Sequence, residues 1–144
     1  MNAQSNEALN VAKSFIAALA RRDGETLSSV LHDNVILESP YPLVKGENMP
    51  GSKRCQGASV HAHMRNMPNV LGSLQFKNVV WRITNDGLAL FQADGDATLP
   101  NGRPYQNHYL MLFQVTGGKI VRWHEYYSPV IAARVNEMPI DSLP

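Results

Sequence analysis

The first part of the chain spaces its hydrophobic residues as amphipathic helices do. Ser5 can cap a helix that runs to about Arg22. Its apolar stripe consists of Ala8, Ala12, Phe15, Ile16 and Leu19. A short second helix follows, with Leu27, Val30 and Leu31 turned inward. A third helix is predicted at residues 57–67, where Pro68 ends it. Its inward residues are Val60, Met64 and Met67.

After residue 72 the pattern changes to the period-two alternation of β-strands. Strands are predicted at about 73–84, 87–99, 105–115 and 119–127, with short turns between them. An earlier strand is predicted at 34–39. The stretch from Tyr41 to Gln56 is predicted to be a loop, because prolines, glycines and polar residues interrupt it. A short helix is expected at 128–136.

This order of helices and strands predicts an α+β fold. Four consecutive strands would form one curved antiparallel sheet, supplemented by the strand at 34–39. The three helices of the N-terminal half would pack on its concave side. Such a cone-shaped arrangement leaves an apolar interior that can bind a small molecule. All 144 residues are expected to form a single domain, with a core at about 7–134 and short flexible termini.

Composition and charge narrow the range of partners. The formal net charge is +1 and no basic run is present, so neither nucleic acid nor a membrane is expected as a partner. The first seven residues lack the features of a signal peptide, and the lone Cys55 suits a reducing cytoplasm. The cysteine and the scattered histidines lack metal-ligand spacing. Neither a metal nor a cofactor is therefore expected.

The strongest candidate for chemistry is Glu125. Alternation places it on the same strand face as Val121, Trp123 and Tyr127. A carboxylate among apolar side chains is costly to bury unless it is paired, protonated or used in a reaction. We expect Glu125 inside the cone, with a raised pKa suited to acid–base catalysis. The alternative is that it faces solvent or pairs with Arg65 or Arg134.

Polar side chains on the neighbouring strand are expected to face the same cavity. Asn107 and Tyr109 could orient a substrate carbonyl or hydroxyl, or could only satisfy structural hydrogen bonds. Tyr41 could shape the mouth of the cone. A row of small residues can leave volume for a ligand or mark close packing. The row consists of Ala93, Gly95 and Ala97.

The third helix carries two histidines that cannot chelate one metal ion together. Residues two apart on a helix point about 200° apart. His63 flanks the apolar stripe and is the better candidate for the pocket, beside Met64, whereas His61 lies at the opposite margin. A partly buried structural role for His63 is the alternative.

Other polar residues are expected on the convex face of the sheet. They are Glu38, Asp94, His108 and His124. Leu110 and Leu112 would also lie there, beside Ile120 and Tyr126. Since apolar side chains on a large sheet face are unfavourable in water, we expect a homodimer through this face.

Two segments carry a resemblance to a known family. The first is G-G-K-I-V-R-W-H-E-Y-Y-S-P at residues 117–129, and the second is D-N-V-I-L-E-S-P at residues 33–40. With the order of elements, they resemble the SnoaL-like branch of the nuclear transport factor two-like, or ketosteroid-isomerase-like, superfamily. The resemblance implies the cone-shaped fold. It leaves the reaction open, because these proteins include isomerases, cyclases, dehydratases, epoxide hydrolases and binding domains.

The catalytic residues of ketosteroid isomerases are not matched in this sequence, which disfavours that activity. Their general base falls on Ser39, and their oxyanion-hole tyrosine falls on Phe15. Their second oxyanion donor falls near Tyr109. Serine is too weak a base for this step and phenylalanine donates no hydrogen bond. Glu125 is expected on a different wall of the cone from Ser39, so it would not simply replace the base.

Two other families resemble the chain locally. Limonene-type epoxide hydrolases share the surroundings of Glu125, but their arginine is replaced within Gln92-Ala93-Asp94. Phenazine-biosynthesis A/B proteins have a similar Y-x-N-H-Y/F motif, here residues 105–109, and a glutamate that aligns with Glu125. In them this glutamate resembles a general acid. His63 or His61 is a possible counterpart of their helix histidine.

Two functions follow from these expectations. The first is a cofactor-free isomerase-, cyclase- or lyase-type enzyme acting on a small hydrophobic organic ligand, with Glu125 and His63 as catalytic residues. The expected substrate-binding residues are Phe15, Ser39, Tyr41, Met64, Asn107, Tyr109, Trp123 and Tyr127. The second is a ligand-binding protein with the same pocket and no turnover. A third and weaker alternative is a protein–protein interaction module.

Overall fold

A computed structural model describes residues 2–144 and contains five α-helices and one 3₁₀-helix within that range. The helices are α1 (Ala3–Arg21), α2 (Gly24–Ser29), α3 (Ala58–Arg65), α4 (Met67–Val70) and α5 (Pro129–Val135). The 3₁₀-helix, Ile140–Ser142, lies in the tail that the sequence predicted to be flexible. The predicted third helix is thus two helices, because the chain turns at Asn66 before Pro68.

The strands form one curved sheet of six strands in the order β2-β1-β6-β5-β4-β3. They are β1 (Leu31–Glu38), β2 (Arg54–Gln56), β3 (Ser73–Ile83), β4 (Ala89–Thr98), β5 (Pro104–Thr116) and β6 (Lys119–Tyr126). The predicted α+β class is confirmed. One detail was wrong, because β2 lies within the predicted loop. The orientation of β1, which was not predicted, is parallel to β6.

Helix α1 supplies much of the layer that covers the concave side of the sheet. Its buried residues are Ala8, Ala12, Phe15, Ile16, Ala18 and Leu19. The helix cap is Asn2 rather than Ser5, since Asn2 Oδ1 accepts a hydrogen bond from the Ser5 N–H at 2.8 Å. At the other end Arg22 adopts a left-handed conformation with φ 54°, which terminates the helix.

An irregularity in the β5–β6 pairing changes which side chains of β6 face the core. Val115 pairs with Ile120, whereas Gln114 pairs with Arg122, so Val121 is an extra residue in β6. Ile120 and Trp123 are consequently both buried. The prediction that Val121 follows the same alternation as Trp123 was wrong.

The irregularity also alters the surface that was expected to form a dimer. Ile120 is fully buried in the core, so it cannot contribute to the convex face. Leu110, Leu112 and Tyr126 lie on that face and are half-buried. A homodimer through this face stays a prediction, and sedimentation at micromolar concentration would test it.

Residues 2–144 contain neither a candidate membrane-spanning helix nor a candidate metal site. None of the helices in that range has both the length and the apolar character needed to cross a bilayer. No three or more His, Cys, Asp or Glu side chains there are grouped as ligands for a metal ion.

Candidate functional site

A cavity of about 90 Å³ lies between the helices and the concave face of the sheet. We call it the Glu125 cavity. It is lined by Leu19, Leu37, His63, Met64, Met67, Leu71, Leu74, Phe76, Tyr109, Met111, Trp123 and Glu125. It is smaller than the roughly 300–1,000 Å³ that is typical of sites for drug-sized ligands. Only a compact molecule, or a compact part of a larger one, would fit inside it.

Larger grooves exist on the outside of the protein. One of about 600 Å³ runs between the start of α1 and the turn that joins β3 to β4. It is open to solvent, and its Arg122 and His124 side chains contact Glu38 at 3.0 and 3.6 Å. This surface is exposed and its charges are paired, so it holds no isolated acid or base in an apolar setting.

Glu125 is the acidic group of the cavity. It lies opposite Met111 in the β5–β6 pairing and shares its strand face with Trp123. Burial raises its pKa to about 7, from a usual value of 4.5. Within residues 2–144 the carboxyl has neither a salt bridge nor a hydrogen bond, and Arg65 instead contacts Glu25 at 3.8 Å. The carboxyl is thus free to exchange a proton with a ligand.

Trp123 forms part of the cavity wall beside Glu125. Its side chain is 2% exposed, and its Nε1–H is buried without a hydrogen-bond partner among residues 2–144. The ring packs edge-to-face against Phe15, with 4.9 Å between the ring centroids. Phe15 is fully buried behind Trp123 and does not line the cavity, which differs from its predicted substrate contact.

The two histidines of α3 have separate environments. His61 Nδ1 lies 2.6 Å from Ser28 Oγ, and its Nε2 lies 3.0 Å from the His32 carbonyl oxygen. His63 lines the cavity together with Met64, as the helical spacing predicted. Burial lowers the pKa of His63, so its imidazole is neutral at physiological pH.

Asn107 was expected to contact a substrate, but the structure gives it a structural role. Its side chain is 2% exposed and outside the cavity lining. Its Oδ1 accepts from the N–H groups of His108 and Ser128, and its Nδ2 donates to Tyr105 Oη and to the Ser128 carbonyl. Both amide hydrogens and both oxygen lone pairs are occupied, which leaves no capacity for a ligand.

Three tyrosines lie around Glu125. Burial raises the pKa of Tyr109 well above its usual value, and the neighbouring Tyr105 hydroxyl raises it further. Burial likewise raises the pKa of Tyr127, whose ring centroid lies 6.5 Å from that of Tyr109. Tyr109 lines the cavity, whereas Tyr127 lies outside its lining. These phenols stay protonated and can donate hydrogen bonds.

Tyr105 was missed by sequence reasoning. Its pKa is raised by burial, and its hydroxyl accepts from Asn107 Nδ2 at 2.8 Å. Strand alternation could have indicated it, since Tyr105 is two residues before Asn107 on the same face of β5. Phe76, Leu74 and Met111 were also missed as lining residues, because a regular alternating pattern does not show which core side chains border a cavity.

Ser39 and Tyr41 do not line the cavity. Ser39 is buried, and its N–H donates to the Lys53 carbonyl at 2.8 Å. The predicted separation of Ser39 from Glu125 was wrong, because β1 and β6 are neighbours and Leu37 pairs with Trp123. β1 ends at Glu38, which pairs with His124, and Ser39 follows directly after this pair.

Tyr41 is 64% exposed, and its ring packs at 6.3 Å from that of Tyr126. It lines an open groove of about 440 Å³ together with Tyr109 and Tyr127. The mouth position predicted for Tyr41 stays a prediction. A loop of irregular backbone precedes β2, and its path could not be read from hydrophobic periodicity.

The small residues of β4 are covered by a side chain instead of leaving a cavity. A Cβ at Gly95 would lie 2.5 Å from Tyr109 Cε2. The Tyr109 ring therefore occupies the space above Gly95. Asp94 faces outward as predicted, where it contacts His108 Nδ1 at 2.7 Å and accepts from Asn78 at 2.8 Å.

Comparison with known proteins identifies the family. Residues 12–123 match the SnoaL-like domain. The chain belongs to the SnoaL-like family. The uncharacterized protein YesE of Bacillus subtilis (strain 168) is 26% identical over 129 residues, which span 87% of this chain and 84% of YesE.

Solved structures confirm that this SnoaL-like domain has the nuclear transport factor two-like fold. A candidate isomerase from Bacillus subtilis superposes with a TM-score of 0.81 at 22% identity, covering 96% of this chain and 98% of that one. A phenazine biosynthesis-related protein from Pseudomonas aeruginosa superposes with a TM-score of 0.67 at 16% identity, covering 94% and 91%. At such identities the likeness establishes the fold and leaves the reaction open.

Proposed function

We propose that this SnoaL-like protein is a cofactor-independent enzyme that performs acid–base chemistry on a small hydrophobic organic molecule. The observation that carries the proposal is the unpaired Glu125 carboxyl in an apolar cavity, with a pKa of about 7. A carboxyl with this pKa is present in both protonation states near neutral pH. It can therefore take a proton from a substrate and return it, as a general acid–base group must.

Other cavity groups support this assignment. His63 presents a neutral imidazole, which can accept a proton or hold a water molecule. Tyr109 offers a hydroxyl that stays protonated. The hydrocarbon and thioether walls keep water away, which strengthens each polar contact with a substrate. Isomerisation, cyclisation and elimination of water all need only such proton transfers, and membership of the SnoaL-like family agrees with this class of reaction.

A non-catalytic ligand-binding protein is the second candidate. The small volume and predominantly apolar lining of the cavity favour it, because they suit retention of a compact hydrophobic molecule. The two functions differ in one observable. An enzyme of the proposed type exchanges protons with a bound ligand, whereas a binding protein does not.

Exchange of carbon-bound hydrogen tests the proposal without a known substrate. Cyclopentanone in heavy water exchanges the hydrogens next to its carbonyl, and NMR follows the loss of their signal. We expect the wild-type protein to accelerate this exchange. Glu125→Gln preserves shape and removes the titratable proton, so it should slow the catalysed exchange by roughly 10²- to 10⁴-fold.

A surface carboxyl provides the matched control. Glu47 is exposed, and Glu47→Gln should leave the exchange rate unchanged. If Glu125→Gln is as active as the wild type, the proton transfer belongs elsewhere, first to His63. If cyclopentanone binds and the wild-type protein does not accelerate exchange, the binding-protein assignment replaces the enzyme.

A further inference from the structure

The Glu125 cavity contains one acidic group and no positive charge at neutral pH. The ionisable groups among its lining residues are Glu125, Tyr109 and His63. Burial lowers the pKa of the His63 imidazole and raises the pKa of the Tyr109 phenol, so both groups are neutral. The remaining lining residues carry no charge. Ionisation of Glu125 therefore leaves an uncompensated negative charge at low dielectric, which a cationic ligand would balance.

Aromatic side chains form part of the same cavity wall. Phe76, Tyr109 and Trp123 contribute them from three different strands. The ring planes of Phe76 and Tyr109 are nearly perpendicular, at 88°, with 6.0 Å between the ring centroids, so these two side chains form adjoining walls. The π-electrons of an aromatic ring attract a cation that lies within about 6 Å of the ring centroid. A cation enclosed by these walls would gain this attraction in addition to that of Glu125.

We propose that the Glu125 cavity binds a compact tertiary or quaternary ammonium group, with Glu125 as its counter-ion. This rests on the proposed function and narrows the ligand of the same site, from a small hydrophobic molecule to one that carries a positive charge on an apolar body. A negatively charged ligand group would repel the carboxylate, and a neutral one would leave it unpaired.

The lining favours an alkylated ammonium group over a primary one. A primary ammonium brings three N–H donors and is strongly hydrated. The cavity has few acceptors for such donors, since Met64, Met67 and Met111 supply only thioether sulfurs and most other walls are hydrocarbon. In a tertiary or quaternary ammonium the charge is surrounded by alkyl groups, which contact polarisable sulfur and hydrocarbon favourably. A compact ion of this kind also suits a cavity of about 90 Å³.

Binding of a cation would fix the protonation state of Glu125. A nearby opposite charge favours the ionised form of a carboxyl, so the pKa of Glu125 would fall from about 7 and the group would act as a base. The titratable groups that face Glu125 are His63 of α3 and Tyr109 of β5, with Tyr105 and Tyr127 close by. The elements α1, α4, β1 and β3 contribute only uncharged side chains to the lining.

Tetramethylammonium and tert-butyl alcohol separate charge from shape. Both are compact and tetrahedral, and the charge of the first is independent of pH. Labelling the methionine methyl groups with ¹³C locates a bound probe by NMR, because Met64, Met67 and Met111 line the cavity whereas Met49 and Met138 lie outside its lining. At pH 8 we expect tetramethylammonium to shift the first three signals and to bind at least about 10-fold more tightly than tert-butyl alcohol.

Removal of the carboxylate tests its role as counter-ion. Glu125→Gln removes the charge and preserves the shape of the side chain. We expect the affinity for tetramethylammonium to fall by about 10- to 100-fold, as for the loss of one charged contact, and the affinity for tert-butyl alcohol to stay within about 3-fold. Glu47→Gln, at an exposed position, is the matched control and should change neither affinity.

The pH dependence of the wild-type protein gives a test that needs no variant. With a pKa of about 7, lowering the pH from 8 to 6 reduces the ionised fraction of Glu125 roughly 10-fold, so the affinity for tetramethylammonium should fall by about the same factor. The affinity for tert-butyl alcohol should not fall. Protonation of His63 would act in the same direction, and the fall should therefore persist in His63→Gln.

Three results would overturn the proposal. They are equal or tighter binding of tert-butyl alcohol by the wild type, an affinity for tetramethylammonium that Glu125→Gln leaves unchanged, and shifts confined to Met49 or Met138. If one of them occurs while the protein accelerates the exchange of cyclopentanone hydrogens, the ligand class is wrong and the proposed enzyme stands. Tetramethylammonium binding that depends on Glu125, without catalysed exchange, would support the cation site and reject the proposed enzyme.

Discussion

The side-chain amide of Asn107 forms two hydrogen bonds with the backbone of Ser128. The Ser128 N–H donates to Asn107 Oδ1 at 3.0 Å, and Asn107 Nδ2 donates to the Ser128 carbonyl at 3.0 Å. Ser128 is the cap of α5, where its Oγ accepts from the Ile131 N–H at 3.2 Å. The side chain of Asn107 therefore attaches the start of α5 to β5, close to the tyrosines around Glu125.

Replacing Asn107 should destabilise the fold more than it affects ligand binding. Asn107→Ala leaves the part-buried N–H groups of Ser128 and His108 without their acceptor. At about 1–3 kcal/mol for a buried unsatisfied group, and less where water can reach it, we expect a loss of about 2 kcal/mol in the free energy of unfolding. Urea denaturation measures it. Asn34→Ala, at an exposed position of β1, is the control and should change stability by less than about 0.5 kcal/mol. A similarly small change for Asn107→Ala would contradict this role.

Glycine should be required at position 95 for stability, because the Tyr109 ring fills the space that a side chain there would occupy. A Cβ at this position would lie 2.5 and 3.1 Å from Cε2 and Cδ2 of that ring. Gly95→Ala should therefore cost about 1–3 kcal/mol through overpacking. The same change in a Tyr109→Ala background should cost much less, because the clash is gone. Thermal unfolding of the four proteins of this cycle gives both values, and equal costs in the two backgrounds would show that Tyr109 is not the cause.

The parts of the fold that could be predicted are those determined by residues close together in the sequence. The β5–β6 hairpin and α5 follow from alternation, turn residues and proline, and their bounds differ from the predicted ones by no more than one residue at each end. The strand β2 has only three residues, too few for a periodic signal. Its pairing with β1, and the parallel pairing of β1 with β6, depend on contacts between segments distant in sequence.

The site could be predicted in part for the same reason. The positions of Glu125 and His63 follow from one strand face and one helix face. The position of Tyr41 depends on an irregular loop, whose path hydrophobic periodicity does not define. Asn107 faces inward as predicted, but its hydrogen-bonding capacity is consumed by Ser128 and Tyr105, which lie on different segments. The unpaired Nε1–H of Trp123 is a property of three-dimensional packing that no sequence pattern shows.

Isomerisation of Δ5-3-ketosteroids should be negligible. The cavity of about 90 Å³ is too small to enclose a steroid. Size is the stronger reason, because the cavity does contain an acid–base group, Glu125, on the strand that neighbours β1. Absorbance of the conjugated product measures the rate. 3-Cyclopentenone, a compact ketone with the same β,γ-unsaturated arrangement, tests the same reaction on a molecule that is not excluded by its size. Efficient conversion of the steroid would show that the cavity has been misidentified.

The stability of the protein should depend on pH through Glu125 and His63 in opposite directions. Burial raises the pKa of Glu125 from 4.5 to about 7, so the folded protein binds more protons than the unfolded chain between these values. The contribution of Glu125 to stability is therefore full below pH 4.5 and is lost as pH rises through 7. Burial lowers the pKa of His63, so its contribution is full above 6.5 and is lost as pH falls.

Two variants separate these effects. Glu125→Gln cannot ionise, so its stability relative to the wild type should increase with pH, by at most about 3 kcal/mol between pH 4.5 and 8. His63→Gln should show the reverse trend and gain relative to the wild type as pH falls below 6.5. Denaturation at a series of pH values measures both differences. If the difference between Glu125→Gln and the wild type is the same at every pH, the Glu125 carboxyl is solvated and ionised like a surface group. The isolated acid on which the proposed proton transfer depends would then be absent.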